Sequence, residues 1–237
     1  MREEPVPQER WADDLALAAM ALARRFAAGG TLWCWSPAWP QHAEHIAVAF
    51  VHPVIVGKRA LPAVAVSDGD AVAALRASAE AGDMIVVVYS PGQGEVDDLL
   101  RRAPAWGVET IWIGSGGRPA AGRADHLLWC EGVGAEAPFN GPFVLTYHVL
   151  WELTHVCFEH PGLLGANPEC GEDHCITCSD EGRLAEVIEV AGPSTVRVRT
   201  AAGVEEVDTT LVEDVDQGEL VLVHAGVAIS RVESGRA

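Results

Sequence analysis

The sequence predicts an α/β protein in two parts: a parallel-sheet domain with helices on both faces, then a small all-β domain. Three observations carry this. Up to about residue 165, short apolar strands alternate with helical segments of ten or more residues, the pattern of repeated crossover units. One strand, "DMIVVVYS" (83–90), is almost continuously apolar, as expected when helices cover both faces of a sheet. From residue 184 onward the segments become short, valine-rich and partly alternating, with turns between them and no helical period, which suggests a small β-barrel or meander.

The elements follow in order. In "ERWADDLALAAMALARRFAA" (9–28), Trp11, Leu15, Ala18, Leu22 and Phe26 recur at three- and four-residue spacing and make one helical face. Gly29-Gly30 ends that helix. "TLWCWS" reads as a strand, "PQHAEHIAVAFVHPVI" as a helix, "LPAVAVSD" as a strand, and "DAVAALRASAEAG" as a helix ending at Gly82. After "DMIVVVYS" come a helix over "EVDDLLRRAPAWG", strands at "VETIWIGS" and "ADHLLWCE", and a long helix over "FVLTYHVLWELTHVCFEHPG". The apolar face of the last includes Phe143, Leu150, Leu153, Val156 and Cys157. Core or interface packing is the expected role there for Trp151, His155, Cys157 and His160. "LAEVIEVAG", "STVRVRT", "VEEVDTT" and "ELVLVHAGVAI" are the β-segments of the second part, separated by Gly192-Pro193, Ala202-Gly203 and Gln217-Gly218. The expected boundaries are 1–165 for the first domain, 166–174 for a Gly-, Pro- and Asn-containing linker, and 175–237 for the second.

Sixteen basic residues against 34 acidic ones give a formal net charge of −18. Nucleic acid is excluded as a partner, because its binding needs a basic face to displace counterions. Anionic membrane surfaces are excluded on the same ground. No run of about 18 apolar residues is present to cross a bilayer, and "MREEPVPQER" has no apolar signal core, so a cytoplasmic location is expected.

The chemistry concentrates in "ECGEDHCITCSDE" (169–181), where Cys170, His174, Cys175 and Cys178 fall within nine positions. Four readings stand. Tetrahedral zinc is one, since Cys175-x-x-Cys178 has ligand spacing; but no second separated pair exists, and adjacent His174 and Cys175 are awkward co-ligands. A redox pair would need its Cys-x-x-Cys to open a helix in a βαβ unit, whereas this one precedes a strand. A linker that happens to hold thiols is the third. Handing something to a partner through a thiolate is the fourth. Cys34, Cys130 and Cys157 stand in apolar contexts and read as small buried hydrophobes.

The first domain resembles the SIS domains of the phosphoheptose isomerase group. "EHIAVAFVHPVIVGKRALPAVAVSD", "GDMIVVVYSPGQG", "VETIWIGSGG", "ADHLLWC" and the helix around "YHVLWELTH" carry the resemblance across most of residues 9–158. It implies a three-layer αβα fold with a five-stranded parallel sheet, assembled as a dimer or tetramer through the N-terminal helix. Phosphate sites of this kind use backbone amides and hydroxyls at a helix start. Here the first such loop is "CWSPAWPQ", in which prolines remove donors and tryptophans fill volume. The second, "YSPGQG", keeps Ser90 and Gln93. The resemblance also implies an acid/base pair for aldose–ketose isomerisation. His148 falls on the histidine position, but Ala49 occupies the glutamate position and cannot move a proton. A non-catalytic domain for oligomerisation or ligand sensing is therefore expected, with sugar-phosphate isomerisation or binding as the alternative.

Residues 175–231 resemble the HypC/HupF family of [NiFe]-hydrogenase maturation chaperones. "GELVLVHAGVAISRV" carries the closest match, with His224, Gly226, Ala228 and Ile229 on the family's positions; "GRLAEVIEV" and "VEEVDTTLVEDVDQG" fit earlier strands. The resemblance implies an OB-like barrel that meets a HypD-like partner and the hydrogenase large-subunit precursor. It also implies a cysteine that takes part in carrying an iron centre with cyanide and carbon monoxide ligands. A soft thiolate suits low-spin iron, and few protein ligands permit its release. The family cysteine follows the initiator Met, whereas Cys175 and Cys178 are internal, with Cys175 favoured and His224 a possible neighbour. The family's closing helix has no counterpart before Ala237. Zinc-stabilised interaction remains a weaker alternative.

Overall fold

The computed structural model describes residues 7–67, 69–92, 94–132, 141–164, 182–212 and 214–232. The chain divides into two compact units. One comprises Met1–Arg101 and Glu109–Gly165, the other Arg102–Val108 and Ala166–Ala237.

The first unit begins with helix α1 (Pro7–Ala27) and strand β1 (Leu32–Trp35). Leu15, Ala18, Leu22 and Phe26 of α1 are buried together, along the stripe the sequence spacing marks. Helix α2 (Pro40–Val51) starts with proline in its first turn, where the missing N–H costs nothing. It is shorter than the sequence suggests, because His52 precedes Pro53, and a residue before proline is held out of the helical region. Strand β2 (Ala63–Ala65) precedes helix α3 (Ala71–Ser78), whose cap Asp70 accepts from the Ala73 amide at 2.9 Å. Strand β3 (Met84–Val88) is buried at every position.

Helix α4 (Gly94–Arg102) stops at Arg102 instead of running on through "APAWG". Pro104 and the left-handed Gly107 convert Ala103–Trp106 into a single 3₁₀ turn. Strands β4 (Glu109–Ser115) and β5 (His126–Cys130) and helix α5 (Gly141–Glu159) complete the unit. Among the described residues its sheet has five strands in the order β2-β1-β3-β4-β5, all parallel. Cys34, Cys130 and Cys157 are buried free thiols, as the apolar contexts predict.

The amino ends of the strands are tied by charge. Asp83 accepts from the Thr31 amide, the Trp33 indole and the Glu80 amide at 2.8–3.0 Å. Glu109 receives Arg25 at 2.8 Å and meets His126 Nε2 at 2.9 Å.

In the second unit, β6 (Arg183–Gly192), β7 (Thr195–Thr200), β8 (Gly203–Asp208), β9 (Leu220–His224) and β10 (Val227–Arg231) close a barrel in the order β10-β8-β7-β6-β9. The segment "ELVLVHAGVAI" is not one strand but a hairpin. Ala225 and Gly226 both take positive φ, 49° and 80°, as a two-residue hairpin turn of right-handed twist requires. Val187, Val196, Val198, Val207, Val221 and Val223 fill the barrel. On β6 the in–out alternation breaks at Glu186, which is 1% exposed. Trp106 Nε1 and Arg102 Nη1 each donate to its carboxylate at 2.7 Å, and Arg102 also donates to the Gly218 carbonyl. The Arg199 guanidinium lies 5.5 Å over the Trp106 ring. The 102–108 segment thus covers the outward face of β6, so a carboxylate is buried there with a full set of partners.

Candidate functional site

Ligands of open parallel sheets bind beyond the carboxyl ends of the strands, so the side chains there decide what the first unit can hold. After β1, Ser36 is buried and its Oγ donates to the Val88 carbonyl at 2.8 Å. Trp39 packs on Phe143, with ring centroids 6.0 Å apart, and meets His42 edge-on. After β3, Tyr89 stacks on Trp112 at 4.4 Å, and the Trp112 indole donates back to the Tyr89 carbonyl. Trp112 in turn meets Trp129 edge to face at 5.3 Å. Gly114 leaves room for this pair, since a Cβ there would overlap the Trp129 ring. Burial, helped by Asp97, pushes the Tyr89 phenol well above its usual range, so it is a neutral donor to Asp97 at 3.0 Å. Aromatic rings and internal hydrogen bonds occupy these loops. Of the two side chains that the sequence nominates for a sugar phosphate, Ser90 is half-buried and Gln93 lies outside the described residues.

The polar groups that do converge are on α2 and α5. His148 stands exposed on α5 with its Nε2 3.2 Å from His45 Nε2 on α2. The other nitrogen of His45, Nδ1, is 2.9 Å from Tyr147 Oη, and the same phenol oxygen is 3.5 Å from Nδ1 of buried His42. Burial pushes the Tyr147 phenol up to about 12, so its proton stays on at neutral pH. Burial, and then His45 nearby, lower the proton affinity of His148. Ala49, on the position where the resemblance puts the isomerases' glutamate, sits one turn past His45. The site can pass or share a proton between imidazoles, and among the described residues no carboxylate bonds to either His45 or His148. Two nitrogens alone make an incomplete metal shell. Among the described residues no group of three or more His, Cys, Asp or Glu side chains could hold a metal ion. The sequence reading singles out His148 and misses His45. The signal was available: His42 and His45 are three apart on one helix, hence on one face.

In the second unit, His224 is half-buried at the end of β9, paired in register with Val227 across the hairpin. Cys170, His174, Cys175 and Cys178 lie outside the described residues. The described thiols are poor nucleophiles. Burial raises the pKa of Cys34, Cys130 and Cys157 alike, which suits packing rather than metal or redox chemistry. No helix among the described residues is long and apolar enough to cross a membrane.

Comparison with known proteins fits this division. Two solved phosphoheptose isomerases share the fold of the first unit. The one from Francisella tularensis is 16% identical, with a TM-score of 0.54, over 61% of this chain and 86% of its own. The one from Neisseria gonorrhoeae is 17% identical, with a TM-score of 0.52, over 63% of this chain and 89% of its own. No curated protein matches the chain. Residues 184–237 match the model of the HupF/HypC family. The chain therefore joins an αβα unit with the fold of the phosphoheptose isomerases to a C-terminal β-barrel that matches the HupF/HypC family model.

Proposed function

We propose that this chain is an assembly chaperone for the large subunit of a [NiFe]-hydrogenase. The observation that carries the reading is the family match over residues 184–237, on a segment that closes into a barrel just after a cysteine-rich stretch. In this reading the barrel docks on the large-subunit precursor and on a HypD-like maturation protein in the cytoplasm. Cys175 or Cys178 supplies the thiolate that touches the iron centre in transit, with His224 as the nearby polar group. A thiolate with few companions can bind soft, low-spin iron and still release it. The SIS-type domain is a non-catalytic module that makes a homodimer or homotetramer or senses a ligand. Ala49 and the aromatic packing after β1 and β3 support the absence of isomerase chemistry. The test is co-purification with the large-subunit precursor, followed by maturation assays. If Cys175→Ala and Cys178→Ala together leave maturation intact, the thiol role is wrong.

A second reading, sugar-phosphate binding or isomerisation by the first unit, draws support from the fold and from the His45–His148 pair. A thermal-shift panel of sugar phosphates separates the two. Stabilisation that disappears in Ser90→Ala or His148→Gln favours this reading, and silence across the panel removes it.

A further inference from the structure

The histidines on α2 and α5 form a connected chain from solvent to core. His148 Nε2 and His45 Nε2 face each other at 3.2 Å, His45 Nδ1 lies 2.9 Å from Tyr147 Oη, and Tyr147 Oη lies 3.5 Å from His42 Nδ1. Two ring nitrogens at that distance are bonded only if one carries a hydrogen and the other a lone pair. One polarity has Tyr147 donating to His45 Nδ1, which leaves His45 with a hydrogen on Nε2 to give to His148. The other has His148 donating to His45 Nε2, and His45 donating from Nδ1 to Tyr147. Either polarity serves two neutral rings, and either keeps the bond between the rings when one proton is added to the ring that donates. A second proton puts hydrogens on both facing nitrogens and breaks the bond.

We propose that His45 and His148 form a single-proton site: the pair binds its first proton jointly, and binding of the second breaks the contact between the two rings. The site is therefore neutral or singly positive while the contact is closed, and doubly positive when it opens, on a chain of formal charge −18. Its surroundings leave the two rings as each other's main electrostatic partner. Glu44, beside His45 on α2, is exposed. Glu152, one turn beyond His148 on α5, accepts from Lys58 Nζ at 3.1 Å. Asp14 of α1, the helix packed on α5, is engaged by Arg118 at 2.7 Å. The strands beneath α2 contribute buried Cys34, Val86 and other apolar side chains. His42 and Tyr147 are the remaining titratable groups in contact.

The test is an NMR titration of the full chain with isotopically labelled histidine. In the wild type, His45 and His148 should both respond in two common steps separated by about one pH unit or more, a tenfold difference in proton affinity. His45→Gln and His148→Gln replace exposed side chains. Each should leave a single step, at a pH between the two wild-type steps, and the shifts should be reciprocal. The proposal is overturned if each histidine follows its own one-step curve, unmoved by replacement of the other.

Discussion

Ser36 Oγ donates to the main-chain oxygen of Val88 at 2.8 Å, fastening the residue after β1 to the last residue of β3. Both sit at the carboxyl edge of the sheet, where open parallel sheets bind their ligands. Here the hydroxyl is buried and already bonded. Ser36→Ala should therefore cost about 1–2 kcal/mol of stability, the usual range for a buried hydrogen bond whose acceptor is left without its donor. Denaturant melts measure the loss. The response of the chain to sugar phosphates should be the same in the variant as in the wild type.

Glu186 should be the most sensitive single position of the barrel. Its carboxylate is buried with Arg102 and Trp106 as donors. Removal of the charge in Glu186→Ala takes its buried carboxylate from the Arg102 guanidinium, whose side chain is only 14% exposed. Breaking one side of a buried ion pair costs about 3–5 kcal/mol. Trp106→Phe removes one charge-assisted bond, worth about 1.5–3 kcal/mol, and the smaller ring leaves a void at a fully buried position, which adds to the loss. A double-mutant cycle on Arg102 and Glu186, read from the melting of the barrel, should give a coupling well above the roughly 1 kcal/mol of an exposed pair.

The layers were legible in the sequence because their signals are periodic. The α1 face, the apolar β3 run and the alternating Val196 and Val198 of β7 each follow from spacing alone. Local chemistry that interrupts a period was harder to see. Pro104 cut the apparent α4 helix short, and Ala225, a residue with no preference for positive φ, hid the β9–β10 turn. Glu186 reads as an outward strand residue, because nothing near it in sequence reveals that Arg102 and Trp106, 84 and 80 positions away, will cover it. The site showed the same limit. His148 was legible through its place on the long helix, whereas its partner His45 depends on how α2 lies against α5.

Acid should weaken the first unit through Glu109. The hydrogen bond from His126, and then Arg25, hold its carboxyl down to about 2, below the usual carboxylate range, against an opposing push from burial. A carboxyl with a depressed folded pKa stabilises above its unfolded pKa and loses that contribution as pH falls through the folded value. The loss should run from about pH 4.5 down to about 2, and total on the order of 3 kcal/mol. Glu109→Gln should be less stable at pH 7 and show a flatter decline over that interval in urea melts. A wild type and variant with parallel pH profiles would remove Glu109 from the account.

The β9–β10 turn offers the opposite experiment, a gain. Both of its central residues take positive φ, a conformation free to glycine, tolerable to asparagine and strained for alanine. Ala225 holds it at 49° because the hairpin twist and the pairing of His224 with Val227 demand it. Ala225→Asn should relieve the strain, and Ala225→Gly should do so at some loss of unfolded-state entropy; the asparagine variant should gain about 0.5–1 kcal/mol. Gly226→Ala, at a φ of 80° with open space around a new Cβ, should lose about 1 kcal/mol through backbone strain alone. Thermal melts of the three variants check the order Asn, then Gly, then wild type, with Gly226→Ala lowest. A wild type more stable than Ala225→Asn would mean that the turn tolerates alanine without strain.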